Sequence, residues 1–340
     1  MSILLRISLK IITSHMVHDI IFTMKRIGIL RGGITPEYEF SLEAGAEVAR
    51  AVQEAGLDAI DMLLDRNGVL HVKGVPTQLE QVPLHVDYVW NALHGKGAED
   101  GKIGELLESI AIPHSGSPRT VSEMTYNKSI AKDQAKTLGI KVPPSLLVLP
   151  EDTDSVSEIT RKVYQSFAPP WVIKPLYGGA SLNAHVAHTV LELSQMIEEC
   201  MSEETPFMVE QYIYGKEAAV GVIDHFREQE PYVLPTVQIE RPSRGILSHI
   251  ARKNQSYATV GGSFSRDERE KLETFAGRLH TKLGLKDYSQ SEFVVDGRGD
   301  VWFIELDSQP HMRKNDPFLL ALDAVGATLK DFVKTILGNT

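Results

Sequence analysis

The chain has 340 residues, 42% of them hydrophobic and 24% charged, with a formal net charge of −10. That length points to two or three folded units, and the acidic balance disfavours binding to a nucleic-acid backbone, which requires a basic face. The single cysteine, Cys200, excludes an intrachain disulfide and a thiolate metal cage and fits a reducing cytoplasm; no apolar run reaches the roughly 20 residues of a membrane-spanning helix.

In chain order, the opening Met1 to Ile12 is apolar but interrupted by Arg6 and Lys10, and it lacks the apolar core and small-residue cleavage site of a signal peptide. The first domain-like strand is 26–30, so residues 1–24 are expected to be an N-terminal extension, with Met24 a plausible natural start. Strand 26–30 runs into Arg31-Gly32-Gly33, followed by a helix with Ser41, Leu42, Ala44, Val48, Ala49 and Val52 at helical spacing. Further strands are expected at 59–63 and 86–91, the latter leading into Leu93-His94-Gly95. This alternation predicts a parallel sheet whose ligands bind at the strand C-terminal ends. A second block starts near Gly116-Ser117-Pro118, with a helix over 120–138, a break at Pro143-Pro144, and strands at 146–148 and 171–175. The last strand ends on Lys174-Pro175 and opens into the small-residue loop Leu176-Tyr177-Gly178-Gly179-Ala180-Ser181. A third block runs from Phe207-Met208-Val209-Glu210-Gln211 to a helix over 328–337. The expected units are thus 25–116, 117–208 and 209–340.

Near the C-terminus, Gln290 to Val295 and Val301 to Asp307 read as two strands joined by a Gly/Asp-rich turn. A four-residue loop over Gly297 to Asp300 would set Glu292 opposite Glu305, with Asp307 on the same face. Three acids so close repel one another unless a cation lies among them, and an all-oxygen set suits Mg²⁺. The alternative is a solvated acidic face, and a loop one residue shorter would favour it by turning Glu292 to the other side. Lys128 and Lys174 could each set a point charge on a phosphate beside the glycine loop, or could lie over apolar neighbours at the surface.

Taken in order, these segments resemble the D-alanine–D-alanine ligases of the ATP-grasp superfamily over roughly residues 25 to 338. The likeness rests on Gly32 to Leu42, on Leu93-His94-Gly95-Lys96-Gly97-Ala98-Glu99-Asp100-Gly101, on Gly116-Ser117 with Asn127-Lys128, and on Val172-Ile173-Lys174-Pro175. It continues at Val209-Glu210-Gln211 with Gly215-Lys216-Glu217 and ends at Glu305-Leu306-Asp307-Ser308-Gln309-Pro310.

The resemblance implies an α/β ATP-grasp fold behind an N-terminal parallel-sheet (preATP-grasp) domain, with ATP between the second and third units. Lys128 and Lys174 would contact its phosphates under a cover of Gly178, Gly179, Ala180 and Ser181. Glu210, Gln211 and Ile213 would line the adenine pocket, and Glu217 would face the ribose. Glu292, Glu305 and Asp307 fall on the positions that hold Mg²⁺ (or Mn²⁺). Glu37 matches the acid that anchors the first substrate's ammonium, His94 a histidine near the reacting carboxylate, and Arg252 a cation in a lid over Gly245 to Gly261. The implied reaction activates an amino-acid carboxylate as an acyl phosphate and passes it to an amine, in a cytoplasmic homodimer acting in cell-wall precursor synthesis.

The sequence departs from that pattern at the substrates. Gln290 stands where the family has an arginine, His311 where it has a glycine, and Asp316-Pro317 where it has a serine–leucine pair. Ala180 replaces a serine. An acid at 316 would repel a substrate carboxylate unless Arg313 or Lys314 intervened. These departures keep two further readings in view, a ligase of the same fold with another acceptor and a non-catalytic nucleotide binder. His280 reads as a surface or boundary residue, Trp302 as a core residue, Tyr177 as equally a stacking or a packing group, and Cys200 as no nucleophile.

Overall fold

The computed structural model describes residues 25–178, 184–240 and 258–338. The first sheet is built on β1 (Arg26–Gly32), flanked in parallel by β2 (Asp58–Leu64) and β5 (Tyr88–Asn91). Two short antiparallel strands, β3 (Leu70–Val72) and β4 (Val75–Pro76), extend it into a mixed sheet of order β4-β3-β2-β1-β5. Helix α1 (Tyr38–Glu54) buries Phe40, Ala44, Val48, Ala51 and Val52, the i, i+4, i+7/8 stripe legible in the sequence. Ser41 fixes its start, accepting from the Gly32 amide at 2.8 Å and donating to the Ala92 carbonyl at 2.7 Å.

The helix expected over 120–138 is two helices. After α2 (Lys102–Ser109) come α3 (Arg119–Tyr126) and α4 (Lys128–Thr137), broken at Asn127. Asn127 leaves the helical region, and its Oδ1 accepts from the amides of Ser129 and Ile130, each at 3.1 Å. A side chain that caps a new helix competes with continuation of the old one. The second sheet is antiparallel, in the order β6-β9-β7-β8, from β6 (Ser145–Val148), β7 (Trp171–Pro175), β8 (His185–Ala187) and β9 (Phe207–Gln211). Helices α5 (Val156–Ser166) and α6 (Val190–Ser202) open with Ser155/Glu158 and Thr189/Glu192 capping boxes and share a core with this sheet.

The third sheet is antiparallel: β10 (Gly215–Ile223), β11 (Tyr232–Val233), β12 (Val237–Ile239), β13 (Ala258–Val260), β14 (Tyr288–Asp296) and β15 (Val301–Asp307). Helix α7 (Arg266–Leu283) packs Leu272, Ala276, Leu279 and Leu283 on it. His280 falls on this buried face, 1% exposed, with its ring nitrogens 2.9 Å from Asp224 Oδ1 and 2.8 Å from Ser289 Oγ, which corrects the surface placement. Helices α8 (Pro317–Ala324) and α9 (Leu329–Gly338) complete the described chain.

One apolar cluster joins the first sheet to the third. Trp90 of β5 stacks on Tyr288 of β14 at 6.0 Å, and Phe318 and Phe332 pack edge-on around them. Polar ties reinforce it: Gly116 donates to Asp287 at 2.8 Å, and Gln309 Nε2 donates to the carbonyls of Asn91 and Leu93 at 2.8 and 2.9 Å. No helix among the described residues is long and apolar enough to cross a membrane.

Gln309→Ala should lower stability by about 1–3 kcal/mol, since it leaves buried carbonyls without their donor. Urea unfolding of the purified chain would measure it.

Candidate active site

The site grows from the β14–β15 hairpin. Its turn is tighter than a four-residue loop: Asp296 and Asp300 are bonded across it, amide to carbonyl at 3.0 Å, so the first pairs are Val295 with Val301 and Phe293 with Phe303. Continued unbroken, that register would set Glu292 opposite Ile304. A bulge intervenes. Ile304 is the extra residue, and beyond it Glu292 faces Glu305 and Gln290 faces Asp307. The expected pairing of the acids is therefore reached by another route, in which the bulge restores what the short turn takes away. It also explains Trp302. Val301, Phe303 and Leu306 enter the core, whereas Trp302 stays half-buried beside the site face. Its Nε1 donates to Asp296 at 3.0 Å and Lys141 lies over its ring, so Trp302 is not a core residue.

Glu292, Glu305, Asp307 and Gln290 line one cavity with Lys128, Gly178, Glu99, His311, Arg313 and Asp316. A second cavity adjoins it behind Lys128, Glu292 and Glu305, and is lined by Lys174, Gln211, Ile213, Glu217 and Ile304. Among the described residues, no three acids or histidines lie close enough together to cage a metal ion as they stand. The donor set nonetheless fits a hard divalent cation, being all carboxylate oxygen. Burial, followed by the negative charge of Glu99, pushes Asp307 well above the usual carboxylate range, and a cation would relieve both.

Between the two cavities, Lys128 opens α4, is buried, and donates to the Gly178 carbonyl. Burial lowers its pKa. Lys174 lies one residue before the end of β7, and its Nζ is 3.0 Å from Glu210 Oε2. Glu210 lines the second cavity, but its carboxylate is committed to two lysines. The other is Lys132, with Nζ 3.1 Å from Glu210 Oε1. No motif in the sequence singles out Lys132, although one helical turn from Lys128 puts it on the same face. Tyr177 packs on Tyr126, with ring centroids 5.7 Å apart. Gly179, Ala180, Ser181 and Arg252, with most of the expected lid, lie outside the described residues.

At the far end, Glu37 precedes α1 and is 2% exposed. Burial, then the charges of Glu99 and Asp307, push its pKa up to about 9. His311 Nε2 lies 3.8 Å from Glu37 Oε1, and the rings of His311 and His94 are 3.8 Å apart, centroid to centroid. His94 Nδ1 is in turn 3.5 Å from Glu99. Asp316 is met by a cation, as its position demanded. Arg313 Nε and Nη2 clamp its two carboxylate oxygens at 3.0 and 2.9 Å, and the guanidinium lies over the Phe40 ring at 3.8 Å. Cys200, half-buried, has its thiol pushed up to about 11 by burial, away from nucleophilic use.

Breaking the Arg313–Asp316 clamp from one side strands a buried charge. Arg313→Met alone should cost about 3–5 kcal/mol, and adding Asp316→Asn should recover part of that loss. A double-mutant cycle by denaturant unfolding reads the coupling.

Residues 135–338, more than half of the chain, match the family model described as D-ala D-ala ligase C-terminus. A D-alanine--D-alanine ligase of Aquifex aeolicus is 27% identical over 314 residues, covering 92% of this chain and 99% of that protein. One of Moorella thermoacetica is 28% identical over 315 residues, covering 92% and 98%. Among solved structures, the VanG D-Ala:D-Ser ligase of Enterococcus faecalis superposes with a TM-score of 0.79 at 20% identity, over 93% of this chain and 99% of that one. A D-alanine--D-alanine ligase of Bacillus anthracis complexed with ATP gives 0.73 at 21% identity, over 92% and 96%; these two establish the ATP-grasp fold. The family model spans the half that carries the acidic hairpin and most of the second cavity, and the relatives extend the match over 92% of the chain, so the chain belongs to the D-alanine–D-alanine ligase family.

Proposed function

We propose that this chain is an ATP- and Mg²⁺-dependent ligase that joins D-alanine to D-alanine through an acyl phosphate, for peptidoglycan precursor synthesis. The observation that carries the reading is the shared wall of Lys128, Glu292 and Glu305 between two cavities, one lined by Lys174, Glu210 and Glu217 and the other by Glu99, Asp307 and His311. In this reading residues 25–116 supply Glu37 and His94, 117–208 supply Lys128 and Lys174, and 209–340 supply the acidic hairpin. Gly179, Ala180 and Ser181 cover the phosphates, and Arg252 supplies a lid cation.

The first step must bring a substrate carboxylate onto the γ-phosphate of ATP. A carboxylate oxygen bonds to phosphorus as the bond to ADP breaks. Lys128 and Lys174 offset the phosphate charge, and positioning does most of the work. Glu292, Glu305 and Asp307 would hold Mg²⁺ or Mn²⁺, which when bound would supply the positive charge that lets two anions meet. Glu37 receives the ammonium of the first amino acid, an interaction strengthened by its burial, and His94 sits beside the reacting carboxylate. The second amine then bonds to the acyl carbon, phosphate leaves, and the amine gives up a proton. The acyl phosphate must be kept from water throughout.

A second reading, with another acceptor, is favoured by one set of contacts. The Arg313 guanidinium already satisfies Asp316, and Gln290 faces Asp307. The acceptor end therefore offers no arginine at position 290, and the one at 313 is already engaged. The solved D-Ala:D-Ser ligase makes D-serine the natural first alternative. A small-molecule enzyme located in the cytoplasm and assembled as a homodimer completes the reading; sedimentation would give the assembly state.

Wild-type protein with Mg²⁺ and D-alanine should release ADP, and Glu305→Gln should lower that rate by about 10²-fold or more. ADP release that appears only with D-serine or another amine would select the second reading. Binding of ATP without turnover on any amino acid or amine would leave a nucleotide-binding protein.

A further inference from the structure

We propose that Lys132 is a positioning residue that frees the charge of Lys174 for the ATP phosphates, an inference that rests on the ATP-dependent reading above. Lys132 is 1% exposed and lines neither cavity. It cannot touch a nucleotide there, and it acts through Glu210. The two oxygens of that carboxylate are shared out: Oε1 lies 3.1 Å from Lys132 and Oε2 lies 3.0 Å from Lys174. All three groups are buried.

The charge balance gives the arrangement its purpose. Lys174 and Glu210 alone would form a closed, neutral pair, and a neutral pair attracts a phosphate weakly. With Lys132 added, the trio carries one net positive charge. Lys174 is the only cation of the three that faces the cavity, so the surplus is presented where a phosphate would lie. Burying an ammonium is costly unless it is well paired, and Lys132 has its pKa lowered to about 8 by burial, partly offset by Glu210. The charged groups around it are Glu210 on β9, Lys174 on β7 and, farther off, Glu305 on β15. A residue that served packing alone would be better built as methionine or leucine at this site.

The test is a double-mutant cycle on the full chain, with Lys132→Met and Glu210→Gln made singly and together. ATP affinity is measured by calorimetry with Mg²⁺, beside KM and kcat. Lys132→Met should weaken ATP binding about tenfold, leave the KM for the amino acid near its wild-type value, and be largely rescued by Lys132→Arg. Once Glu210 is neutralised Lys132 has no carboxylate to hold away from Lys174, so Glu210→Gln and the double variant should differ in ATP affinity by much less than the wild type and Lys132→Met do. The proposal is overturned if folded Lys132→Met binds ATP as the wild type does, or if Lys132→Met weakens binding as much in the Glu210→Gln background as without it. Should Lys132→Met fail to fold, the comparison of Glu210→Gln with the double variant still decides. Failure of wild-type protein to bind ATP would instead remove the underlying functional reading.

Discussion

The position of one residue, Ile304, determines which side of the last hairpin carries its acids. A side-chain period of two makes any strand slip an inversion of faces, and the tight turn at Gly297 to Gly299 imposes such a slip. The bulge cancels it after Phe303, so the same strand can send Val301, Phe303 and Leu306 into the core and Glu305 and Asp307 into the cavity. Without the bulge, either the core would hold carboxylates or the cavity would hold phenylalanine. What is proposed for the metal follows from that local irregularity.

Around the acids the protein has arranged opposite charges at graded distances. Lys128 stands between the two cavities, Lys174 and Lys132 flank Glu210, and Arg313 closes on Asp316. The carboxylates left without so direct a partner, Asp307 and Glu37, are the ones held in protonation-favouring surroundings. In the proposed reading this charge balance is completed by what the site binds, a cation at one end and an ammonium at the other.

Much of this was legible in the sequence, and for identifiable reasons. The apolar stripe of α1, the parallel core around β1, and the ordered set of Lys128, Lys174, Glu305 and Asp307 depend on local spacing, which a sequence displays. What stayed hidden depends on tertiary placement. Asn127 has the same composition inside a helix or capping one. His280 looks polar until Asp224 and Ser289, distant in the chain or across an element, come up to its ring. Lys132 has the spacing of any helical lysine, and only the fold brings Glu210 to it from β9. The bulge at Ile304 leaves no glycine or proline as a marker, so simple alternation along the strand points Trp302 to the wrong face.

The central claim is that a carboxylate is activated by phosphoryl transfer in the cavity bounded by Lys128 and the acidic hairpin. Its most direct test is to supply D-alanine labelled with oxygen-18 in the carboxylate, together with ATP and Mg²⁺, and to follow the label. An acyl phosphate transfers one carboxylate oxygen to the departing phosphate, so the account predicts inorganic phosphate carrying a single labelled oxygen and formed in step with the dipeptide. Dipeptide formed alongside unlabelled phosphate would contradict it.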